Sequence, residues 1–189
     1  MDIGSILKYV VILFPISEVA LLMFKRSKER SSAKGDRGSL RLLWFTVIAS
    51  IGLTIFLQWY PLAAFQLSRS IIRVIALCLL IGGFIIRWIS IISLGKYFTV
   101  NVAIQEEHIL FVRGMYKYVR HPSYTGLLIE FIGFAVYFGT WVSLIIIVIP
   151  ITCAMIYRIR CEEIVLVEKF GKQYKEYMAH TKSIIPGIV

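Results

Sequence analysis

The sequence predicts an all-α integral membrane protein with about five transmembrane helices, and three observations support this fold class. Of the 189 residues, 58% are hydrophobic and 17% are charged, whereas soluble domains have about 45–50% apolar and about 25% charged residues. The mean hydropathy is +0.78. The apolar residues also form long runs that can cross about 30 Å of hydrocarbon, and basic polar segments separate these runs.

Three predicted spans occupy the N-terminal half of the chain. They cover about Ile3–Phe24, Leu42–Tyr60 and Ile71–Leu94. The first run is longer than the h-region of a signal peptide, about 7–15 residues, and basic residues follow it instead of a small-residue cleavage site. We therefore interpret it as a retained span.

The C-terminal half is predicted to contain a helical hairpin followed by an amphipathic helix. The hairpin arms are Leu127–Tyr137, which is short for a span, and Trp141–Tyr157, which continues past Pro150. A tight turn is expected at Gly139 between them. The tail from Cys161 to His180 places apolar residues at near-helical spacing, which is typical of a helix lying on a membrane or on the protein surface.

The basic residues indicate the orientation of the chain more than they indicate nucleic acid binding. The net charge is +10, but its Lys and Arg residues lie mostly in 25–41, 95–124 and the tail. The positive-inside rule places these segments in the cytoplasm and the N-terminus outside. Such a protein fits a bacterial inner membrane or an endoplasmic reticulum.

The cysteines predict neither a disulfide framework nor a metal site. Cys78, Cys153 and Cys161 form no CxxC pair, and two of them lie in apolar runs. We expect residues 1–189 to form a single membrane domain. Residues 1–94 would supply the three N-terminal spans, and residues 95–189 would supply the functional core.

Two polar clusters are the candidate functional residues. The segment 113–126 places three Tyr, a His and several basic residues between apolar runs, and the segment 158–163 follows the last run. Polar groups at a membrane boundary need partners, so such clusters favour a functional site over a plain linker. Both clusters lie on the cytoplasmic side of the predicted topology.

Three ionisable residues fall inside predicted spans: Glu18, Arg87 and Glu130. Charged groups within the hydrocarbon layer usually pair with one another or face a cavity. The sequence therefore predicts that Arg87 pairs with one of the two glutamates.

Both polar clusters resemble motifs of the isoprenylcysteine carboxyl methyltransferases. The first is similar to the signature G-x-Y…R-H-P-x-Y-x-G of that family, through Gly114, Tyr116, Arg120, His121, Pro122, Tyr124 and Gly126. The second fits its pattern R-x3-E-E-x2-L-x3-F-G-x2-Y-x2-Y…P, through Arg158, Glu162, Glu163, Leu166, Phe170, Gly171, Tyr174, Tyr177 and Pro186. The resemblance covers roughly residues 95–189.

The resemblance implies a methyltransferase that uses S-adenosylmethionine and a lipid-bearing acceptor, with the cofactor bound at the cytosolic face. It assigns Arg158 to the acceptor, as the catalytic and substrate-binding residue. The implied cofactor residues are His108, Ile109, Leu110, Phe111, Tyr116, His121, Pro122, Ser123, Tyr124 and Glu162.

The residue types agree with this chemistry. Glu162 can pair with the ammonium group of the cofactor, and the rings of Tyr116 and Tyr124 can flank the adenine or the sulfonium. An acceptor carboxylate is already ionised near pH 7, so Arg158 would position it and no general base is needed. An amine acceptor would need a base, for which His121 or Glu163 is the candidate.

Other interpretations of the sequence remain open. The acceptor could be a phospholipid amine, a thiol or another hydrophobic molecule, and the chain could be a membrane scaffold without catalytic activity. Arg158 could be a snorkelling anchor, Glu162 and Glu163 could be the acidic first turn of a tail helix, and His121 could simply begin a helix before Pro122.

Overall fold

The computed structural model describes residues 2–24, 36–60, 63–95, 98 and 110–185. The α-helices of this part of the chain are α1 (Ile3–Phe24), α2 (Asp36–Leu57), α3 (Arg69–Leu94), α4 (Pro122–Tyr137), α5 (Trp141–Phe170) and α6 (Lys172–His180). A short 3₁₀ helix, Gly114–Lys117, precedes α4. Among the described residues there is no β-strand, so the all-α prediction is confirmed.

Four of the described helices are long and apolar enough to cross a membrane, namely α1, α2, α3 and α5. The remaining predicted span, the first arm of the hairpin, corresponds to α4. It has 16 residues and rises only about 24 Å at 1.5 Å per residue. It is thus shorter than the hydrocarbon layer, as its short apolar run predicts. Packing against α3 and α5 shelters it, and a short arm is tolerated when neighbouring helices cover it.

The outer surface of the helices is apolar. Met23, Phe45 and Ile92 are each about 70% exposed, at 72%, 72% and 70%. Large apolar side chains in such numbers mark a surface that contacts lipid. Together with the four spans, they make this an integral membrane protein.

The predicted turn between α4 and α5 is confirmed. Gly139 has φ of 75°, a left-handed conformation that glycine adopts without steric cost. Thr140 then caps α5, because its Oγ1 accepts a hydrogen bond from the Ser143 amide at 3.1 Å. The segment before α3 packs on this turn through hydrogen bonds from Phe65 N to Gly139 O and from Trp141 N to Ala63 O.

Helix α5 differs from the prediction because it does not end near Tyr157. It continues for 30 residues to Phe170, since no glycine or proline interrupts the chain between Tyr157 and Gly171. Gly171, with φ of 57°, ends the helix. The tail helix therefore begins at Lys172 and not at Cys161, and Glu162 and Glu163 do not form a first helical turn.

Helices α3 and α4 cross at unusually close range because glycines lie between them. A Cβ atom placed on Gly83 would lie 2.7 Å from the Gly126 carbonyl oxygen, and one placed on Gly126 would lie 2.5 Å from the Arg87 amide nitrogen. Neither backbone could accept a side chain at these distances. The close crossing fixes the start of α4 against α3.

The predicted ion pair of Arg87 is confirmed, and its partner is Glu18. The Arg87 Nε and Nη2 atoms donate to the two carboxylate oxygens of Glu18, each at 2.5 Å, and Nη1 donates to the Ser123 carbonyl at 3.0 Å. Arg87 therefore connects α1, α3 and the first turn of α4. Glu130 is also buried nearby, and its Oε2 has no hydrogen-bond partner among the described residues.

We expect Arg87→Ala to lower the free energy of unfolding by about 3–5 kcal/mol, because it leaves Glu18 as an unpaired buried charge. The double variant Glu18→Ala/Arg87→Ala should lose less than the sum of the two single variants. A double-mutant cycle of unfolding in detergent measures this coupling. Additive losses would contradict the pair. A stronger coupling of Arg87 to Glu130 than to Glu18 would mean that Glu130 is the true partner.

We expect Gly83→Ala to destabilise the protein by about 1–3 kcal/mol or more, since the new methyl group overpacks the crossing of α3 and α4. Gly82→Ala is the matched control, because no atom lies within 4 Å of a Cβ atom at that position. The control should be neutral or slightly stabilising, as alanine favours helix. Equal effects of both variants on the thermal unfolding midpoint would contradict the close crossing.

Candidate functional site

His121 lies at the N-cap position of α4, and Pro122 occupies the first turn. Proline suits this position because the first N–H groups of a helix have no partner within it, so the N–H that proline lacks is not missed. The His121 side chain does not cap the helix, and its ring instead faces the two glutamates of α5. Its Nδ1 lies 3.6 Å from Glu162 Oε2 and its Nε2 lies 3.2 Å from Glu163 Oε1. His121 thus begins the helix, as one interpretation held, and also joins the polar cluster.

Arg158 projects from α5 into the interior of the protein, where only 1% of the residue is exposed. Its Nη1 donates to Ser39 Oγ of α2 at 2.8 Å, and its Nε donates to the Tyr124 hydroxyl at 3.1 Å. Its Nη2 lies 3.4 Å from Glu162 Oε1, one helical turn further along α5. A snorkelling side chain keeps its charged end in water, so that interpretation of Arg158 is wrong.

Tyr124 connects the cation and the carboxylate of this cluster. Its hydroxyl donates to Glu162 Oε1 at 2.6 Å and accepts from Arg158 Nε. The Glu162 side chain is 17% exposed, compared with 1% for that of Arg158. The cluster therefore has a closed end at Arg158 and a more open end at Glu162.

Glu163 lies on the neighbouring face of α5, where two basic side chains from the start of α4 contact it. Its Oε1 accepts from Arg120 Nε at 2.7 Å as well as facing His121. Arg120 Nη1 also donates to the carbonyls of Thr181 and Met178. The ion pair of Arg120 and Glu163 therefore connects α5 to the segment that precedes α4.

The chain after α6 returns to the His-Pro motif and lies beside it. Arg120 N donates to the Lys182 carbonyl at 2.8 Å, and His121 N donates to the Ser183 carbonyl at 3.0 Å. Thr125 Oγ1 donates to the Ile184 carbonyl at 2.6 Å. The C-terminal segment therefore satisfies the backbone that leads into α4 and keeps the motif in place.

Tyr116 lies beneath this region, with its hydroxyl donating to the Ser90 carbonyl of α3 at 3.3 Å and its ring edge-on to Phe111 at 5.5 Å. Burial raises the pKa of Tyr116 above its usual value. Burial also raises the pKa of Tyr177 to about 12, and its hydroxyl donates to the Tyr116 carbonyl. Both phenols therefore stay protonated at neutral pH and act as donors.

The predicted site residues fall into four groups. His121, Tyr124, Arg158 and Glu162 come together in one cluster, with Pro122 beside it at the start of α4. Ser123 is buried, and its carbonyl accepts from Arg87, so its backbone faces the helix bundle. Leu110, Phe111 and Tyr116 precede the cluster in the chain, whereas His108 and Ile109 lie outside the described residues.

Sequence reasoning missed two contributors to the site. Ser39 of α2 holds Arg158, but a single serine in the basic segment before the second predicted span carries no signal of such a role. The carbonyls of 181–184 contribute through the backbone, which no side-chain motif records. The one available signal for this role was that the segment lies shortly before Pro186, which belongs to the tail pattern.

The cluster places a carboxylate and a guanidinium side by side in a water-poor setting. Glu162 can bind a cationic group, and Arg158 can bind a carboxylate in a forked geometry. Charges in such a setting interact more strongly than in water. The arrangement suits a reaction between a cationic and an anionic group.

Comparison with known proteins gives the same picture. The model of the isoprenylcysteine carboxyl methyltransferase (ICMT) family matches residues 74–168. Protein-S-isoprenylcysteine O-methyltransferase B of Arabidopsis thaliana is 36% identical over 112 residues, which are 58% of this chain and 57% of that protein. The Dictyostelium discoideum protein-S-isoprenylcysteine O-methyltransferase is 32% identical over 135 residues, which are 70% of this chain and 56% of that protein. The chain thus spans little more than half the length of these relatives.

The fold also has a counterpart of known structure. The eukaryotic intramembrane Ras methyltransferase ICMT superposes with a TM-score of 0.65 at 22% identity, covering 98% of this chain and 67% of that one. At this identity the likeness shows a shared fold. Because the family model matches half of the chain, including both polar clusters, this protein belongs to the isoprenylcysteine carboxyl methyltransferase family.

Proposed function

We propose that the protein transfers a methyl group from S-adenosylmethionine to the carboxylate of an isoprenylcysteine or a similar amphiphile. One observation carries this proposal. The guanidinium of Arg158 is buried within the long apolar helix α5, one helical turn before the carboxylate of Glu162. Methyl transfer from a cationic donor to an anionic acceptor needs an anionic group for the first and a cationic group for the second, and Glu162 and Arg158 supply them side by side.

The donor set of the cluster fits the proposed cofactor. Glu162 offers a carboxylate to the ammonium group, and its partial exposure leaves that end of the cluster accessible. His121 and nearby backbone N–H groups suit the cofactor's carboxylate or ribose, and Tyr124 offers an aromatic face to cationic or adenine groups. Bound here, S-adenosylmethionine would supply the methyl group for the acceptor oxygen, with S-adenosylhomocysteine as the leaving group.

Arg158 would orient the acceptor carboxylate instead of activating it. In the structure its donors contact Ser39, Tyr124 and Glu162, so binding would exchange part of the contact with Glu162 for the acceptor. Two parallel N–H donors fix the plane of a carboxylate. This alignment, together with exclusion of water by the helix bundle, accounts for catalysis without a general base.

Glu163 is poorly suited to serve as a base for an amine acceptor. Its Oε1 already accepts from Arg120 and faces His121, so its carboxylate is committed to structure. His121 is then the remaining base candidate for an amine acceptor, and both of its ring nitrogens already face glutamates. The lipid tail of the acceptor would remain in the bilayer, with membrane lipids as the surroundings and no role for nucleic acid.

The proposed orientation places the cluster at the cytosolic face. The basic segments that the positive-inside rule assigns to the cytoplasm include the chain around Arg113 to Arg120 and the tail. Both segments meet at the cluster. The eukaryotic relatives favour the endoplasmic reticulum over a bacterial inner membrane.

We expect the purified protein in detergent to transfer radiolabelled methyl from S-adenosylmethionine to N-acetyl-S-farnesyl-cysteine as a base-labile ester. Arg158→Ala should raise KM for this acceptor or abolish turnover, whereas Glu162→Ala should weaken cofactor binding. Losses of about 100-fold or more in kcat/KM are expected from removal of a charge-assisted contact in a buried site. Calorimetry with the cofactor alone separates the two roles.

A total lipid extract, offered beside the farnesyl-cysteine, serves as the alternative acceptor. Label found only in the lipid extract would keep the methyltransferase and replace the acceptor class. The absence of both label and cofactor binding would contradict the proposal and support a scaffold role.

We expect Tyr124→Phe to lower kcat/KM by about tenfold, since Arg158 Nε and Glu162 Oε1 both lose their shared hydroxyl. Tyr118→Phe is the matched control, because Tyr118 is 66% exposed. Steady-state kinetics and thermal unfolding should be measured on both variants. If Tyr124→Phe kept full activity, the hydroxyl would have no part in positioning the two charges.

A further inference from the structure

A cavity of about 330 Å³ lies on the face of α5 adjacent to the charged cluster. Three basic side chains line it, those of Arg120, Arg160 and Lys182, together with one acidic side chain, Glu163. The predicted cofactor residues and Arg158 are not among its lining residues. The cavity is thus adjacent to the candidate active site but separate from it.

The remaining lining of the cavity is mixed, with Thr181 and Ser183 as polar residues beside four apolar ones. Ile156, Ile159 and Ile184 contribute to it, and the first two belong to the membrane-spanning helix α5. The neighbouring Tyr157 is 49% exposed, and tyrosine favours the interface between hydrocarbon and headgroups. The cavity therefore combines an apolar wall with a basic rim, next to an exposed tyrosine of the kind that favours the membrane interface.

The charges of the cavity favour an anion. Three cationic groups face one carboxylate, and that carboxylate already contacts Arg120 and His121. Arg160 and Lys182 are both exposed, so their charges are available at the rim. The volume is at the low end of ligand pockets, about 300–1,000 Å³, which suits a phosphate-bearing headgroup whose acyl chains stay in the bilayer.

We propose that this cavity binds the phosphate headgroup of an anionic phospholipid, with Arg160 and Lys182 as its ligands and the partly exposed Ile156 of α5 against its glycerol and upper acyl chains. Basic pockets beside transmembrane helices are suited to such headgroups. A free phosphate compound would share the polar contacts but not the apolar ones. The proposal follows the orientation given above, in which this face meets the anionic cytoplasmic leaflet.

The test is native mass spectrometry of the full chain in detergent, titrated with phosphatidylglycerol or phosphatidylcholine in the absence of cofactor and acceptor. The double variant Arg160→Gln/Lys182→Gln should bind phosphatidylglycerol about tenfold more weakly, whereas binding of phosphatidylcholine should not change. Lys172→Gln/Lys175→Gln is the matched control. It removes the same charge from exposed positions of α6 that do not line the cavity.

Three results would overturn the proposal. The wild type could show no preference for the anionic lipid, the control variant could lose as much binding as the cavity variant, or glycerol 3-phosphate alone could compete as well as the whole lipid. The last result would mean that the cavity binds a soluble phosphate compound and not a lipid. Arg160→Lys/Lys182→Arg, which keeps both charges, should retain binding and excludes a loss through misfolding.

This test does not depend on methyl transfer. Lipid binding without label on farnesyl-cysteine would leave the cavity assigned and the proposed reaction wrong. Label on farnesyl-cysteine without selective lipid binding would support the proposed reaction and overturn the lipid site. Arg120 and Glu163 are left intact in every variant because they also contact the candidate active site.

Discussion

The structure depends on the need of Arg87 for partners inside an apolar helix bundle. An unpaired charge there would cost several kcal/mol, and Glu18 of α1 together with the Ser123 carbonyl of α4 removes that cost. Three helices are thereby joined at one point. Because Ser123 belongs to the His-Pro-Ser-Tyr turn, the same contact that stabilises the bundle also sets the position of the candidate active site.

The same physical requirement organises the site itself. Arg158 is buried almost completely, and α5 carries both this cation and Glu162 at a spacing of one turn. Tyr124 and Ser39 satisfy the remaining donors. Since α5 continues from its apolar part into the site as one helix, the position of the charged cluster relative to the apolar span is set along a single element.

Much of the architecture could be predicted from the pattern of apolar runs. The bounds of α1 agree with the first predicted span, and the turn at Gly139 follows from a glycine between two apolar arms. The start of the tail helix could not be predicted, because a change from apolar to polar residues at Cys161 resembles a helix end although the backbone continues. Helix continuity depends on the absence of breakers, and polarity does not interrupt it.

The sequence by itself determined the membrane class, the family and the residues that form both polar clusters, because hydropathy and motif spacing are local properties of the chain. Only the tertiary structure decided which glutamate pairs with Arg87, which serine holds Arg158, and that the carbonyls of 181–184 support the His-Pro turn. These choices depend on how helices cross and on where backbone groups meet. Such contacts join residues up to 119 positions apart in the chain, and no local pattern records them.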